Sequence, residues 1–151
     1  MRPVVKISGK WEGASRKELG QYLDYLIQVL DMDNFLEISV CFCSPSEIKQ
    51  LNIKYRNKHV STDILSFHLP GPIDGHDMGD IYLSPSDFRD EFGLGNDGKL
   101  LFFLITHGFL HLQGWTHESV EKFELMMAKQ RSLLDAFEER KALKASDHNH
   151  V

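Results

Sequence analysis

Three histidines, His107, His111 and His117, stand close together in the stretch THGFLHLQGWTHE. His107 and His111 are four residues apart, so on a helix their imidazoles project from one face, one turn apart. Gly114 can end that helix in the left-handed conformation that glycine tolerates, and the chain can then bring His117 back to the same point. The spacing therefore predicts that three imidazoles converge on one metal site.

Zinc is the ion that best suits such a set of ligands. Neutral imidazole binds zinc well, and three protein ligands leave the fourth position open, whereas structural zinc sites are closed by four ligands that usually include cysteine. The sequence has no cysteine near the cluster, so the pattern is typical of a catalytic site. Nickel and copper are chemically compatible but less favoured. His148 and His150 lie in a polar tail without helical spacing and are not expected to be ligands.

The residue after the first histidine limits the reactions that such a site could catalyse. Zinc peptidases of the metzincin type share this histidine spacing but have a glutamate where this chain has Gly108. Glycine has no side chain that could accept a proton from the metal-bound water and pass it on. The sequence therefore argues against peptide hydrolysis and is compatible with phosphodiester hydrolysis. Glycine inside a helix also costs about 1 kcal/mol relative to alanine. Two explanations for Gly108 stay open: clearance for a bulky substrate, or close contact between the helix and a strand.

Composition limits the class of protein. A chain of 151 residues, with 42% hydrophobic and 26% charged residues, is typical of one globular domain. No apolar run approaches the ~20 residues that span a bilayer, and the N-terminus lacks an apolar core of signal-peptide length, so we expect neither membrane insertion nor export. The net charge of -5 argues against bulk binding of nucleic acid, although residues 54–59 (KYRNKH) form a local basic stretch. Cys41 and Cys43 are predicted to be buried, reduced thiols.

Hydrophobic periodicity and turn signals predict the order β-α-β-α-β-β-α-α-α. The predicted strands are 4–8, 36–43, 62–69 and 80–84, and the predicted helices are 15–32, 45–55, a short one from 84–87 to about 93, 99–113 and 119–144. The loop at 70–79 predicts an antiparallel hairpin, and the apolar run 100–105 predicts that the histidine-bearing helix is the most buried element. We therefore expect an α/β (α+β-like) fold, with residues 1–151 as a single layered domain. It should have a small mixed sheet of about four strands and a frayed tail at about 145–151.

Three blocks of the sequence resemble motifs of the YbeY (UPF0054) family. HGFLHLQGWTH at 107–117 is similar to the family's H-G-x-L-H-L-x-G-x-x-H. LNIKYRNKHVSTDILSF at 51–67 is similar to L-N-x-x-Y-R-x-K-D-x-P-T-D-V-L-S-F, and MGDIYLS at 78–84 to L-G-D-I-x-I-S. The blocks occur in the family's order and cover roughly residues 45–120, while the N-terminal third carries no motif.

The family comprises single-domain, metal-dependent endoribonucleases of rRNA maturation. The resemblance implies zinc on His107, His111 and His117, a functional arginine at Arg56, and cleavage of single-stranded RNA. It also implies cytoplasmic location and association with the small ribosomal subunit, with a ribosomal protein or an assembly GTPase as a candidate further partner. We therefore take Arg56, His107 and His111 as catalytic candidates. Asp63 and Asp80 are weaker candidates that would orient a ligand histidine through a hydrogen bond.

The chain departs from the family pattern at several positions. Thr116 replaces the aspartate that commonly precedes the last histidine, residues 58–61 read KHVS instead of K-D-x-P, and His68 replaces a proline. These changes bear on contacts around the ligands and on substrate preference, not on the ligands themselves. Two alternative functions stay open: a metallopeptidase-like hydrolase, and a non-enzymatic ribosome-assembly factor whose zinc stabilises the fold.

Overall fold

Two capping boxes begin the first two helices. In the computed structural model, which describes residues 2–95 and 98–148, the Ser15 hydroxyl accepts a hydrogen bond from the backbone N–H of Glu18, whose carboxylate accepts one from the N–H of Ser15. Ser44 and Glu47 form the same pair. The helices that follow are α1 (Arg16–Val29) and α2 (Pro45–Arg56). Both start where the sequence predicts, because each box satisfies two backbone N–H groups that the helix leaves free.

Four strands form one mixed sheet. They are β1 (Val4–Ser8), β2 (Phe35–Phe42), β3 (Ile64–Pro70) and β4 (Asp77–Leu83), in the order β1-β2-β4-β3. The β1–β2 and β2–β4 pairs are parallel, whereas β3 and β4 form an antiparallel hairpin that leaves β3 at the edge. The predicted α/β class, the mixed four-stranded sheet and the hairpin are therefore confirmed.

Strand β4 begins three residues earlier than the sequence predicts. The sequence predicts that Gly79 lies in the loop, but it pairs with Ile38 on one side and His68 on the other. A Cβ atom at this position would lie 2.8 Å from Cδ1 of Leu112, so the missing side chain makes room for a helix above the sheet. The glycine thus serves close packing and not a turn.

The predicted short helix after residue 84 is wrong, because only a 3₁₀ turn, Pro85–Asp87, is present there. Ser84 does not cap a helix: its hydroxyl donates to Oδ2 of Asp87 at 2.6 Å. Oδ1 of the same carboxylate accepts from the Ser61 hydroxyl at 3.1 Å. These bonds tie the turn to the segment before β3, and the backbone becomes extended at Phe88.

The two long C-terminal helices complete the fold. Helix α3 (Lys99–Leu112) has ten buried residues out of fourteen, which confirms that it is a deeply buried element. Helix α4 (Val120–His148) packs along α3 and extends four residues past its predicted end. Residues 149–151 lie outside the described residues, so a frayed end stays a prediction for them. Within the described ranges, no helix is long and apolar enough to cross a membrane.

An aromatic cluster fixes the helices relative to one another. The ring of Tyr22 stacks on Phe102, with centroids 4.3 Å apart, and meets Phe137 edge-on at 4.8 Å. The Tyr25 hydroxyl donates to the backbone carbonyl of Leu133 at 2.6 Å. Since these residues come from α1, α3 and α4, the cluster determines the position of α4 along α3.

The two cysteines lie at the end of β2, on and just after the strand. Both are free thiols, and both are half-buried where the sequence predicts full burial. Burial raises the pKa of Cys43 to about 11, with the neighbouring Cys41 adding to the effect. At neutral pH the Cys43 thiol is therefore protonated and a poor nucleophile.

Candidate metal centre

The structure brings the three predicted histidines together at the end of α3. Nε2 of His107 lies 2.9 Å from Nε2 of His111. One ring nitrogen from each of His107, His111 and His117 falls within 4.8 Å of the others. The ring centroids are 4.4 to 5.4 Å apart. The cluster is thus compact enough for three imidazoles to share one metal ion.

The turn after α3 orients the second histidine. Gly114 has a φ of 92°, as the sequence predicts. The backbone N–H of Trp115 donates to the carbonyl of Leu110, and that of Gly114 to the carbonyl of His111, both at 3.0 Å. This pair of bonds is a Schellman motif. It places the carbonyl of Trp115 at 2.9 Å from Nδ1 of His111, which donates to it.

Helix α4 orients the first histidine. Nδ1 of His107 lies 2.9 Å from Oε1 of Gln130, and Nε2 of Gln130 donates to the carbonyl of Phe103 at 3.1 Å. The second bond identifies the amide oxygen as the group that faces His107, so Nδ1 of His107 carries the proton. In both His107 and His111 the Nε2 lone pair is then free to face the cluster. This donor set fits a divalent ion that prefers neutral imidazole.

Gln130 was missed by sequence reasoning, and the expectation for Asp63 and Asp80 is wrong for these two histidines. An amide and a backbone carbonyl, not carboxylates, hold the rings. Gln130 is only 1% exposed, among the buried apolar residues of α4. A glutamine in the middle of that otherwise apolar face was the available signal, since a buried amide needs partners.

Burial keeps the two helical histidines neutral. It lowers the pKa of His107, and it lowers the pKa of His111 to about 4, with His107 as the next contributor. The positive charge of Arg56 is among the further causes that lower the pKa of His111. Both imidazoles are therefore unprotonated at neutral pH, which is the form that binds a metal ion.

Gly108 faces the sheet and not the histidine cluster. A Cβ atom there would lie 3.0 Å from Cδ1 of Ile64 and 3.1 Å from both Cγ2 of Ile81 and Oγ of Ser66. Contact with β3 and β4 thus accounts for the glycine, and the hypothesis of clearance for a substrate is wrong.

Arg56, the last residue of α2, lies along the edge strand β3. Its Nη2 donates to the carbonyl of Ser66 at 3.0 Å, and its Cζ lies 5.1 Å from the centroid of the Phe67 ring. Its effect on the pKa of His111 places the charge within electrostatic reach of the cluster. The side chain is exposed, and its bond to Ser66 uses one of the five N–H donors of a guanidinium.

Fold and site together define a class: α/β proteins in which a buried helix and the turn after it bring three histidines together as a candidate metal centre. The family described as Endoribonuclease YbeY matches residues 8–138 of the chain. A Bacillus subtilis protein named Endoribonuclease YbeY is 34% identical over 146 residues, covering 89% of this chain and 93% of that protein. A protein of the same name from Geobacillus thermodenitrificans is 40% identical over 114 residues, covering 67% and 72%. The chain therefore belongs to the YbeY family, and by that membership it is a nuclease.

A solved structure supports the same fold. The solution structure of a Thermotoga maritima protein superimposes with a TM-score of 0.53 at 26% sequence identity. The match covers 91% of this chain and 93% of that protein. The mixed sheet with its buried helix is thus an arrangement that a related chain also adopts.

Proposed function

We propose that this protein is a zinc-dependent endoribonuclease that cuts single-stranded RNA in the maturation of small-subunit rRNA and in ribosome quality control. In this proposal it acts in the cytoplasm on the small ribosomal subunit, with a ribosomal protein or an assembly GTPase as a candidate partner. His107, His111 and His117 hold the ion, and Arg56 binds phosphate. The observation that carries the proposal is the orientation of two neutral imidazoles, by Gln130 and by the carbonyl of Trp115, toward one point that His117 also reaches.

The residues present suit hydrolysis of a phosphodiester. A bound zinc ion supplies a Lewis acid at the open face of the cluster. The Arg56 guanidinium can bind two phosphoryl oxygens while the Ser66 carbonyl and the Phe67 ring hold it in place. It thereby neutralises part of the charge of the phosphate and keeps the scissile bond near the histidines.

The same site is a poor peptidase. Gly108 provides no carboxylate next to the first histidine, and the Cβ position of that residue faces the sheet. The second alternative, an assembly factor with a structural zinc, requires no substrate to approach the ion. An assay of RNA cleavage by the zinc-loaded protein distinguishes this alternative from the nuclease.

The test is cleavage of a single-stranded oligoribonucleotide by the zinc-loaded protein, with zinc content measured on each sample. We expect Arg56→Ala to retain zinc and to lose at least tenfold in kcat/KM, because the substitution removes the phosphate contact and leaves the three histidines in place. His111→Ala should lose both zinc and activity. Arg16→Ala is the matched control, since Arg16 is also exposed and stacks on an aromatic ring, Trp11, at 5.5 Å.

Equal activity of wild type, Arg56→Ala and His111→Ala would contradict the proposal and identify the cutting as contamination. Zinc binding without any RNA cleavage would favour the assembly factor. Peptide cleavage that a chelator abolishes, with RNA left intact, would favour the peptidase.

A further inference from the structure

A cavity of about 350 Å³ opens beside the histidine cluster and shares His107 with it. His107 and Gln130 line one side, and the segment that leads into β3, residues 61–64, lines another. Its volume lies at the low end of the range, ~300–1000 Å³, in which proteins bind small molecules. The cavity is therefore large enough to hold a single nucleobase and far too small to hold a duplex.

The apolar wall of the cavity carries two aromatic rings that are open to solvent. Phe92 is 50% exposed and Phe123 is 44% exposed. The ring of Phe92 packs against that of the buried Phe103, with centroids 5.4 Å apart. Met127 of α4 completes this wall. Exposed aromatic rings next to the site of RNA cleavage are what unstacked bases bind, since every base has a π-face.

Charge decides which part of a nucleotide the cavity accepts. Its three carboxylates, those of Asp63, Asp87 and Glu91, outnumber its one guanidinium, that of Arg89. Both oxygens of Asp87 are already engaged by the hydroxyls of Ser61 and Ser84. An excess of negative charge repels a phosphate and attracts N–H donors, so the interior suits a base edge and not the RNA backbone.

Asp63 is the carboxylate best placed to contact a base. It is half-buried in the polar side of the cavity, where the backbone N–H groups of Ile64 and Asp63 lie close to it, and its one side-chain partner among the described residues is the hydroxyl of Thr62, at 3.4 Å. Two carboxylate oxygens match two adjacent N–H donors. Guanine offers such a pair, N1–H and the 2-amino group, whereas adenine and cytosine offer an amino group beside an acceptor, and uracil offers one N–H between two carbonyls.

We propose that this cavity is a guanine-binding subsite of the nuclease, in which Asp63 accepts the N1–H and 2-amino donors while Phe92 and Phe123 contact the face of the base. The proposal rests on the RNA cleavage proposed above. Because His107 belongs to both sites, a guanine held here would place a neighbouring phosphate at the histidine cluster. The subsite would thus select the bond that is cut.

The test compares the pentanucleotides UUGUU, UUAUU and UUIUU, where I is inosine, which lacks the 2-amino group. Binding is measured by fluorescence anisotropy of labelled RNA, and cleavage is measured separately on the zinc-loaded protein. We expect wild type to bind and cut UUGUU about tenfold better than UUAUU, as bidentate base contacts generally allow, with UUIUU between them. In Asp63→Asn the ratio of UUGUU to UUAUU should fall toward one.

Phe123→Ala should weaken binding of all three RNAs and raise KM more than it lowers kcat. Leu125→Ala is its matched control, because Leu125 is an apolar residue of the same helix, 58% exposed, that does not line the cavity. Thermal melting checks that each variant folds. Equal binding and cleavage of the three RNAs by wild type would overturn the subsite and leave the nuclease intact. A guanine preference in binding without any cleavage would support the subsite and contradict the proposed function.

Discussion

Gly108 shows how a single residue decides the distance between the buried helix and the sheet. A side chain there would press on Ile64 and Ile81, which belong to neighbouring strands. We expect Gly108→Val to lower the free energy of unfolding by about 1–3 kcal/mol, the usual cost of overpacking. The gain in helix propensity, about 1 kcal/mol at most, only partly offsets that cost. Urea denaturation followed by circular dichroism measures the difference.

Gly20→Ala is the matched control for this substitution. Gly20 also lies inside a helix, but a Cβ atom there would have no neighbour within 4 Å. Alanine at position 20 should therefore raise the free energy of unfolding by about 0.5–1 kcal/mol. If valine at position 108 were also stabilising, the helix would be free to move off the sheet, and the packing explanation would be wrong.

At the scale of elements, the contact between α3 and α4 controls the direction of an imidazole. Replacing Gln130 by leucine removes the acceptor for the Nδ1 proton of His107. We expect Gln130→Leu to bind zinc about 10- to 100-fold more weakly, as is usual when the partner of a ligand histidine is lost. Competition with a chromophoric chelator measures the affinity.

Gln130→Glu tests whether the acceptor itself is what matters. A carboxylate keeps an oxygen facing His107 but loses the donor to the carbonyl of Phe103. Its zinc affinity should stay closer to wild type than that of Gln130→Leu, even where the buried charge lowers stability. Wild-type affinity in Gln130→Leu would mean that His107 is oriented without α4.

These elements also show what the sequence could predict. The three histidines and Gly114 lie in one short segment, where helical period and turn geometry determine their positions, and the structure places them as expected. The hydrogen bond between His107 and Gln130 spans 23 residues and depends on how α4 packs against α3. No local pattern contains that information. The absent helix after Ser84 has a similar cause, since the carboxylate of Asp87 accepts hydrogen bonds from both Ser84 and Ser61, and Ser61 lies elsewhere in the chain.

For the molecule as a whole, we expect zinc to be a stabilising ligand. An ion held at 100 times its dissociation constant stabilises the native state by about 2.7 kcal/mol if the unfolded chain does not bind it. In a chain of this length that corresponds to a rise in Tm of roughly 5–11 °C. Differential scanning calorimetry with and without a chelator measures the shift. Arg56→Ala should keep the full shift, since it leaves the ligands in place.

Two variants, His117→Ala and His59→Ala, test whether the stabilising ion binds at the three-histidine cluster or at another histidine. His59 is exposed and does not belong to the three-histidine group, so His59→Ala should show the same shift as wild type. His117→Ala should lose most of it. A shift that survives in His117→Ala would place the stabilising ion somewhere else.

The components of the candidate metal centre are close together along the chain. Among the hydrogen bonds that orient the ligands, the one with the largest sequence separation joins Phe103 and Gln130, which are 27 residues apart. By contrast, Arg56 precedes the first ligand, His107, by 51 residues. Contacts of short sequence separation form early in folding, because they close small loops. We therefore expect the α3–α4 pair to be able to bind its ion before α2 and the β3–β4 hairpin dock against α3, so that readiness to bind metal and readiness to cut RNA would arise at different times in the life of the chain.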